Sequence, residues 1–230
     1  GTADLAEGAP TARSMILVTP DGERTMNTYL GACQHLTAAD IDPATVAAAA
    51  ITYLEGYLWD PPAAKEAFRV AAGIAHGAGR LVALTLSDSF CVDRYRPEFL
   101  DLMRSGTVDI VFANAAEAKS LYQTADLDSA VAALRQDAKL AAVTLSEEGS
   151  LAVTREETVH VPAHPVDTVV DTTGAGDLYA AGFLFALARG ADLATAARHG
   201  GLAAAEIISH LGARPEASLA DLARQGGLSA

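Results

Sequence analysis

From Ile51 onward, short apolar runs alternate with longer stretches in which small and apolar residues recur every three or four positions. ITYLE (51–55) precedes PAAKEAFRVAAGIAHG (62–77), LVALTL (81–86) precedes PEFLDLMRSG (97–106), and VDIVFA (108–113) runs into a helix opening at Asn114. Continuous apolar runs of strand length mark strands buried on both faces, and their alternation with helical periods marks βαβ units feeding a parallel sheet. A further helix is predicted near Leu127–Gln136, followed by the strand LAAVTL (140–145) and by SLAVT (150–154) and TVHVPA (158–163) across the charged turn Thr154–Glu157. VDTVVD (166–171) reads as strand-like and leads into a glycine turn at Gly174, after which AAGFLFALARG and LATAARHGGLAAAEIISHL have helical spacing. Gly212 and Pro215 are expected to end the second of these helices. Upstream, SMILVT (14–19) and RTMNTY (24–29) flank Pro20-Asp21-Gly22-Glu23, a turn combination, so residues 14–29 read as a hairpin. The expected fold class is α/β: a three-layer αβα, Rossmann-like sheet with a small β-hairpin at its start.

Composition narrows the function classes. A chain of 230 residues, half of them hydrophobic, buries one sizeable core, so a single domain over 1–230 is the default expectation. A formal charge of −13 repels a nucleic-acid backbone or an anionic membrane surface, which excludes both as the main partner. Cys33 and Cys91 are too few for a disulfide framework and have no metal or redox spacing. The opening GTADLAEGAP has neither a cationic start nor an apolar run, so it does not read as a secretory signal, and no stretch of ~20 apolar residues occurs. The cytoplasm is the simplest expected location.

The strongest chemical signal is Asp171-Thr172-Thr173-Gly174-Ala175-Gly176-Asp177, where a predicted strand turns into a long apolar helix. Helix amino termini present unpaired N–H groups, and glycine lets an anion approach the backbone, so phosphate is the natural ligand. The Rossmann fingerprint fails because its third glycine would fall at Tyr179, and the Walker pattern fails for want of a lysine. An ordinary strand–turn–helix junction, with Asp177 favoured by the helix dipole, is the plain alternative. Asn114-Ala115-Ala116-Glu117 matches a capping box. Thr144 to Gly149 reads equally as a polar hairpin turn.

DTTGAGD followed by a small-residue helix resembles the carboxyl-terminal signature of the ribokinase (PfkB) family of carbohydrate and nucleoside kinases. That resemblance implies a ribokinase-like fold in which Asp177 accepts the proton of a substrate hydroxyl while the N–H groups of Gly174, Ala175 and Gly176 form an anion hole. It also implies that Asn114 and Glu117 hold Mg²⁺ and the nucleotide phosphates, Glu117 through water. Thr144, Ser146 and Gly149 match the family's Thr-x-Gly-x-x-Gly nucleotide loop, with Ser146 in place of the first glycine. Gly201 and Ala204 fall where relatives receive adenine, Gly201 standing where many carry Asn or His. Asp171 and Thr173 match a monovalent-cation site, for which K⁺ is the expected ion. The hairpin resembles part of a substrate lid, making Arg13 and Asn27 candidates for substrate contact. TPDGERTMNTYLGA and YLEGYLWDPP look like bacterial adenosine kinase-like sugar kinases, with Tyr57 or Trp59 placed to stack on a purine.

The resemblance runs from about Thr11 to the end, and the first third of an ordinary family member is expected to be missing. The function implied is ATP-dependent transfer of the γ-phosphoryl group to a hydroxymethyl group of a small nucleoside or sugar, adenosine favoured. A vitamin or pyrimidine-alcohol kinase and a non-catalytic nucleotide-binding remnant remain open alternatives, and a homodimer is left open.

Overall fold

The computed structural model describes residues 8–228, so the opening stretch weighed as a signal sequence lies largely outside the described residues. The class is α/β with a central mixed sheet flanked by helices, as the alternation predicts. The chain folds as two compact units, one of residues up to Met15 with Met26–Leu140, the other of Ile16–Thr25 with Ala141 onward. The predicted hairpin forms from β1 (Arg13–Val18) and β2 (Arg24–Tyr29), closed by Gly22 at φ 81°.

The first unit contains α1 (Pro43–Ala48), β3 (Ile51–Glu55), α2 (Pro62–Gly77), β4 (Leu81–Thr85), α3 (Ser89–Arg104), β5 (Ile110–Asn114), α4 (Ala115–Leu121) and α5 (Leu127–Asp137). β3 pairs parallel with β4, Ile51 opposite Leu81 through Glu55 opposite Thr85, and β4 with β5, Ala83 opposite Ile110 through Thr85 opposite Phe112. Val82, Ala83 and Leu84 are fully buried, which is why β4 reads as an unbroken apolar run. α2 buries Ala64, Ala67, Phe68, Ala71, Ala72 and Ala75, the helical period seen in the sequence.

One helix starts much earlier than its pattern indicates. Pro97 looks like a first-turn proline, yet α3 begins at Ser89, because Asp88 caps it by accepting from Cys91 N at 2.6 Å. The proline is accommodated by a local kink at Tyr95, with φ −119° and ψ 19°.

The second unit holds β6 (Leu140–Thr144), β7 (Ser150–Thr154), β8 (Thr158–Val161), α6 (Ala175–Leu187), α7 (Leu193–Ile207) and α8 (Leu219–Gln225). β7 and β8 pair antiparallel, Ser150 opposite Val161 and Val153 opposite Thr158. VDTVVD is not a strand. Its backbone is held by isolated bonds, Val170 N to Ile208 O at 2.8 Å and Asp171 N to the same oxygen at 3.4 Å, so the β-branched residues serve an extended connection rather than a ladder. α7 likewise stops at Ile207, before Gly212, where Glu206 Oε1 turns the chain by accepting from Glu216 N and Ala217 N.

α6 and α7 cross on small residues. A Cβ at Gly182 would lie 2.4 Å from His199 O, and one at Gly200 would lie 2.8 Å from Tyr179 O. The alanine and glycine bias of this region thus permits backbone-to-backbone packing that any larger side chain prevents.

Candidate active site

Gly174 adopts φ 84° and ψ 0°, turning the chain into α6 with Ala175, Gly176 and Asp177 as its first three residues. The N–H of Ala175 donates to Thr172 O at 3.2 Å, whereas those of Gly176 and Asp177 lie in the first turn, where a helix offers no acceptor. A Cβ at Gly176 would meet nothing within 4 Å, so the surface beside this glycine is open. The turn therefore presents backbone N–H groups and the positive end of a helix to an approaching anion.

Asp177 stands at the mouth of this turn, its surface accessible to solvent. The protein packed around it nevertheless desolvates the carboxyl and raises its pKa above the ordinary aspartate value, with the Arg24 charge pulling the other way. Arg24, on β2, donates from Nη1 to Thr172 Oγ1 at 2.7 Å. Thr172 Oγ1 in turn donates to Gly22 O at 3.2 Å, so the hairpin tip and the anion turn are joined directly. Arg13 and Asn27, the residues singled out on the hairpin, lie exposed on β1 and β2. Arg24 escaped notice because its partner is 148 positions away and an arginine after a turn has no local signature.

Asp171 and Thr173 build the turn. Asp171 Oδ1 accepts from Thr173 N at 2.9 Å and Thr173 Oγ1 at 2.6 Å, and Oδ2 accepts from Gly212 N at 3.0 Å. Burial pushes the Asp171 carboxyl up, but the bonds from Thr173 and Gly212 outweigh it and leave the group below the usual range. This is the geometry of an Asx-type turn lock.

The Thr144 loop follows the end of β6. Ser146 takes φ 53°, the left-handed conformation that the glycine it replaces would adopt without strain. Gly149 has φ 97°, and a Cβ there would fall 2.1 Å from Val161 O. The carbonyl of Glu148 lies 2.9 Å from His160 Nε2, tying the loop to β8. His160 and Val161 also line a cavity of about 360 Å³, whose wall includes His164, Arg198, Gly201 and Leu202. Gly201 is part of this wall, while Ala204, one turn further along α7, is not.

In the first unit, Asn114 ends β5 and caps α4. Its Oδ1 accepts from Glu117 N at 2.9 Å, while its N–H and side-chain amide donate to Glu117 Oε2 and Oε1 at 2.9 and 2.7 Å. The capping box is therefore real. Glu117 is 5% exposed, and burial, with help from the Asp88 and Glu55 charges, pushes its pKa up to about 7. Among the described residues no group of three or more His, Cys, Asp or Glu is placed to cage a metal ion. Glu117 instead fits the outer-sphere part of a hydrated hard cation, which binds through few carboxylates and keeps several waters.

Tyr57 sits just past β3, half exposed, its hydroxyl donating to Asp88 Oδ2 at 2.9 Å and its N–H to Ser87 Oγ at 3.1 Å. Ser87, at φ 73°, donates its hydroxyl to Glu55 Oε1. Gly56 fits beneath, since a Cβ there would lie 2.6 Å from Thr85 O. Trp59 does not share this surface: it is fully buried, packs on Phe68 and Phe99 with centroids 5.7 and 6.3 Å away, and donates to Glu98 Oε2 at 2.7 Å. It anchors the segment that presents Tyr57 and is not free to stack on a ligand.

Comparison with known proteins agrees with this chemistry. The profile of the family described as pfkB family carbohydrate kinase matches residues 4–219. A bifunctional protein HldE from Rhodopseudomonas palustris is 38% identical over 131 residues, covering 56% of this chain and 24% of that protein, so the match spans about a quarter of its relative. Among solved structures, an adenosine kinase from Sinorhizobium meliloti is similar at TM-score 0.93 with 61% identity, over 95% of this chain and 67% of the other. A probable sugar kinase from Rhizobium etli superposes at TM-score 0.94 with 57% identity, over 96% of this chain and 67% of the other. A profile match of that extent runs through the anion turn and both strand-end motifs, and on it the chain belongs to the pfkB family of carbohydrate kinases.

Proposed function

We propose that the chain carries the phosphoryl-transfer machinery of an ATP-dependent kinase acting on a hydroxymethyl group of a nucleoside or sugar, with adenosine the favoured acceptor. The observation that carries this reading is the turn at Gly174–Asp177, which pairs outward N–H donors with a carboxylate and has Arg24 bonded to its rim. In a loose phosphoryl-transfer transition state charge gathers on the transferring oxygens, and fixed donors aimed at them lower the barrier without reorganisation. The N–H groups of Gly176 and Asp177 and the Arg24 guanidinium supply those donors. Asp177 orients the acceptor hydroxyl and takes its proton as the oxygen bonds to the γ-phosphorus and the bond to the β-phosphate oxygen breaks, leaving ADP. A carboxyl with a raised pKa is the better proton acceptor for this step.

The Thr144 loop and the cavity behind β8 would receive the nucleoside part of ATP, Gly149 allowing the loop to lie against β8. Glu117 and Asn114 would hold Mg²⁺ through water, and the ion, when bound with the nucleotide, neutralises phosphate charge. Adenosine is favoured by the 61% identity to the Sinorhizobium meliloti adenosine kinase and by Tyr57, whose exposed ring is available to a purine face.

A coupled ADP-release assay across adenosine, other nucleosides, ribose and fructose tests the reading. ADP release with one of them, strongest with adenosine, is the expected result. Nucleotide binding without turnover on any acceptor would replace this reading with that of a non-catalytic nucleotide-binding protein, and turnover confined to a pyrimidine alcohol would move the acceptor class.

A further inference from the structure

Glu206, at the end of α7, is a buried carboxylate outside the anion turn and outside the wall of the cavity behind β8. Its side chain is 6% exposed. Oε1 accepts from Glu216 N at 2.8 Å and Ala217 N at 2.7 Å and lies 3.3 Å from His210 Nε2. Oε2 is buried without a hydrogen-bond partner among the described residues. Burial pulls the His210 imidazole toward its neutral form, but its bonds to Leu211 O and Glu206 outweigh this and leave it more basic than an ordinary histidine. One oxygen thus gathers three donors, and all three belong to the non-helical segment 208–217 that follows α7.

That segment is what the anion turn rests on. Ile208 O accepts from Val170 N at 2.8 Å and from Asp171 N at 3.4 Å, and Gly212 N donates to Asp171 Oδ2 at 3.0 Å. A Cβ at Gly174 would lie 3.3 Å from Ala213 Cβ, so Ala213 backs the left-handed glycine from which α6 starts. The turn is therefore supported at its backbone entry, at the side chain that locks it and at its apex. Removing the acceptor at 206 would leave two buried-side N–H donors of the segment without their partner, and the segment free to shift. Donors aimed at a transferring phosphoryl group act by being fixed in place, and a misplacement of about 1 Å costs about a hundredfold in rate.

We infer that Glu206 is a positioning residue for phosphoryl transfer: by drawing residues 210–217 against the end of α7 it holds Asp171 and Gly174, and through them the N–H groups of Gly176 and Asp177. The inference rests on the reading of the chain as a kinase. Because Glu206 lies outside the cavity behind β8, its effect falls on kcat and not on nucleotide affinity.

Two substitutions separate the acceptor from the bulk of the side chain. Glu206→Gln keeps a carbonyl oxygen for Glu216, Ala217 and His210, whereas Glu206→Met keeps the length and removes the acceptor. Each is compared with the wild-type chain by coupled ADP release, by calorimetric titration with ADP, and by amide hydrogen exchange. Glu206→Met is expected to lose about a hundredfold in kcat while binding ADP within about threefold of wild type. Exchange at Gly212 and Val170, the amides that join the segment to the turn, should quicken by about tenfold or more in the same variant. Glu206→Gln should restore all three. A kcat for Glu206→Met within about threefold of wild type overturns the inference, as do unchanged exchange at Gly212 and Val170, equal losses in both variants, or kcat and ADP affinity falling together. Should Glu206→Met not fold, Glu216→Pro deletes one of the donors from the exposed side of the segment with α7 untouched; the same selective loss of kcat is expected of it, and an unaltered kcat overturns the inference. Absence of turnover in the wild type on every acceptor overturns the kinase reading and the role in transfer with it, whereas an active wild type with an equally active Glu206→Met overturns this inference alone.

Discussion

Arg24 Nη1 and Thr172 Oγ1 lie 2.7 Å apart, joining the tip of a hairpin near the start of the chain to the phosphate-type turn near its end. The guanidinium does two things from this position. It adds a cation to the rim of the anion turn, and it lowers the pKa of Asp177. Replacing Arg24 with alanine is expected to reduce kcat/KM by about a hundredfold, the scale of one lost transition-state contact. Lysine should recover part of that. A purely structural role predicts no change in proton chemistry, whereas removal of the charge raises the Asp177 pKa further. The acidic limb of the rate profile should then move to higher pH in Arg24→Ala, and an unmoved limb would refute the electrostatic role.

Asp177→Asn should cost about 10²- to 10⁴-fold in kcat, the range for a positioned general base. The same change should stabilise the fold. A carboxyl whose folded pKa is raised contributes most stability below its unfolded value and loses it as pH rises through the folded pKa, so at neutral pH the charged form is a liability. Melting curves are expected to show Asp177→Asn above the wild type at pH 7, with the difference vanishing near pH 3. A variant that is less stable than wild type at pH 7 would contradict the raised pKa.

The Thr144 loop offers a pair of opposed substitutions. Gly149→Ala drives a methyl to within 2.1 Å of Val161 O at a φ that alanine avoids, and should destabilise by about 3 kcal/mol while weakening nucleotide binding. Ser146→Gly relieves the left-handed strain at φ 53° and should be neutral or stabilising by up to about 1 kcal/mol. Urea unfolding of both variants checks the two signs together.

His199 gives a pH dependence of the opposite sense to Asp177. Its Nε2 is buried without a hydrogen-bond partner among the described residues, and burial lowers its pKa. The unfolded chain takes up a proton near pH 6.5 that the folded protein resists, so stability is fully present above that value and is lost as pH falls toward the folded pKa. The slope should approach, and not exceed, about 1.4 kcal/mol per pH unit for this one group. Leucine at 199 should flatten it, as read from urea midpoints between pH 7.5 and 5.

Period and capping residues made most elements legible. α2 falls where its alanine stripe puts it, and Asn114 announces both the end of β5 and the start of α4. The failures share a cause. At Pro97 a strong local signal was overridden by the Asp88 cap one residue before Ser89, and at 166–171 β-branched residues found isolated acceptors instead of a ladder. Local sequence reports propensity but not which partner arrives from a distance. The candidate site divides the same way: the DTTGAGD turn is contiguous and readable, whereas Arg24 owes its place to Thr172, 148 positions along the chain.

The glycine crossing of α6 and α7 bears on more than packing density. α6 begins with Asp177 in its first turn, and α7 carries Gly201 on the wall of the cavity behind β8, so on the proposed reading the two helices face opposite ends of one nucleotide. Gly182 and Gly200 bring the two main chains together at the crossing, where the Tyr179 ring also lies against Gly200. On that reading the pair would act as a fixed ruler for the span from nucleobase to reacting phosphorus, and a larger residue at either glycine should move the phosphorus relative to its base rather than merely loosen the protein.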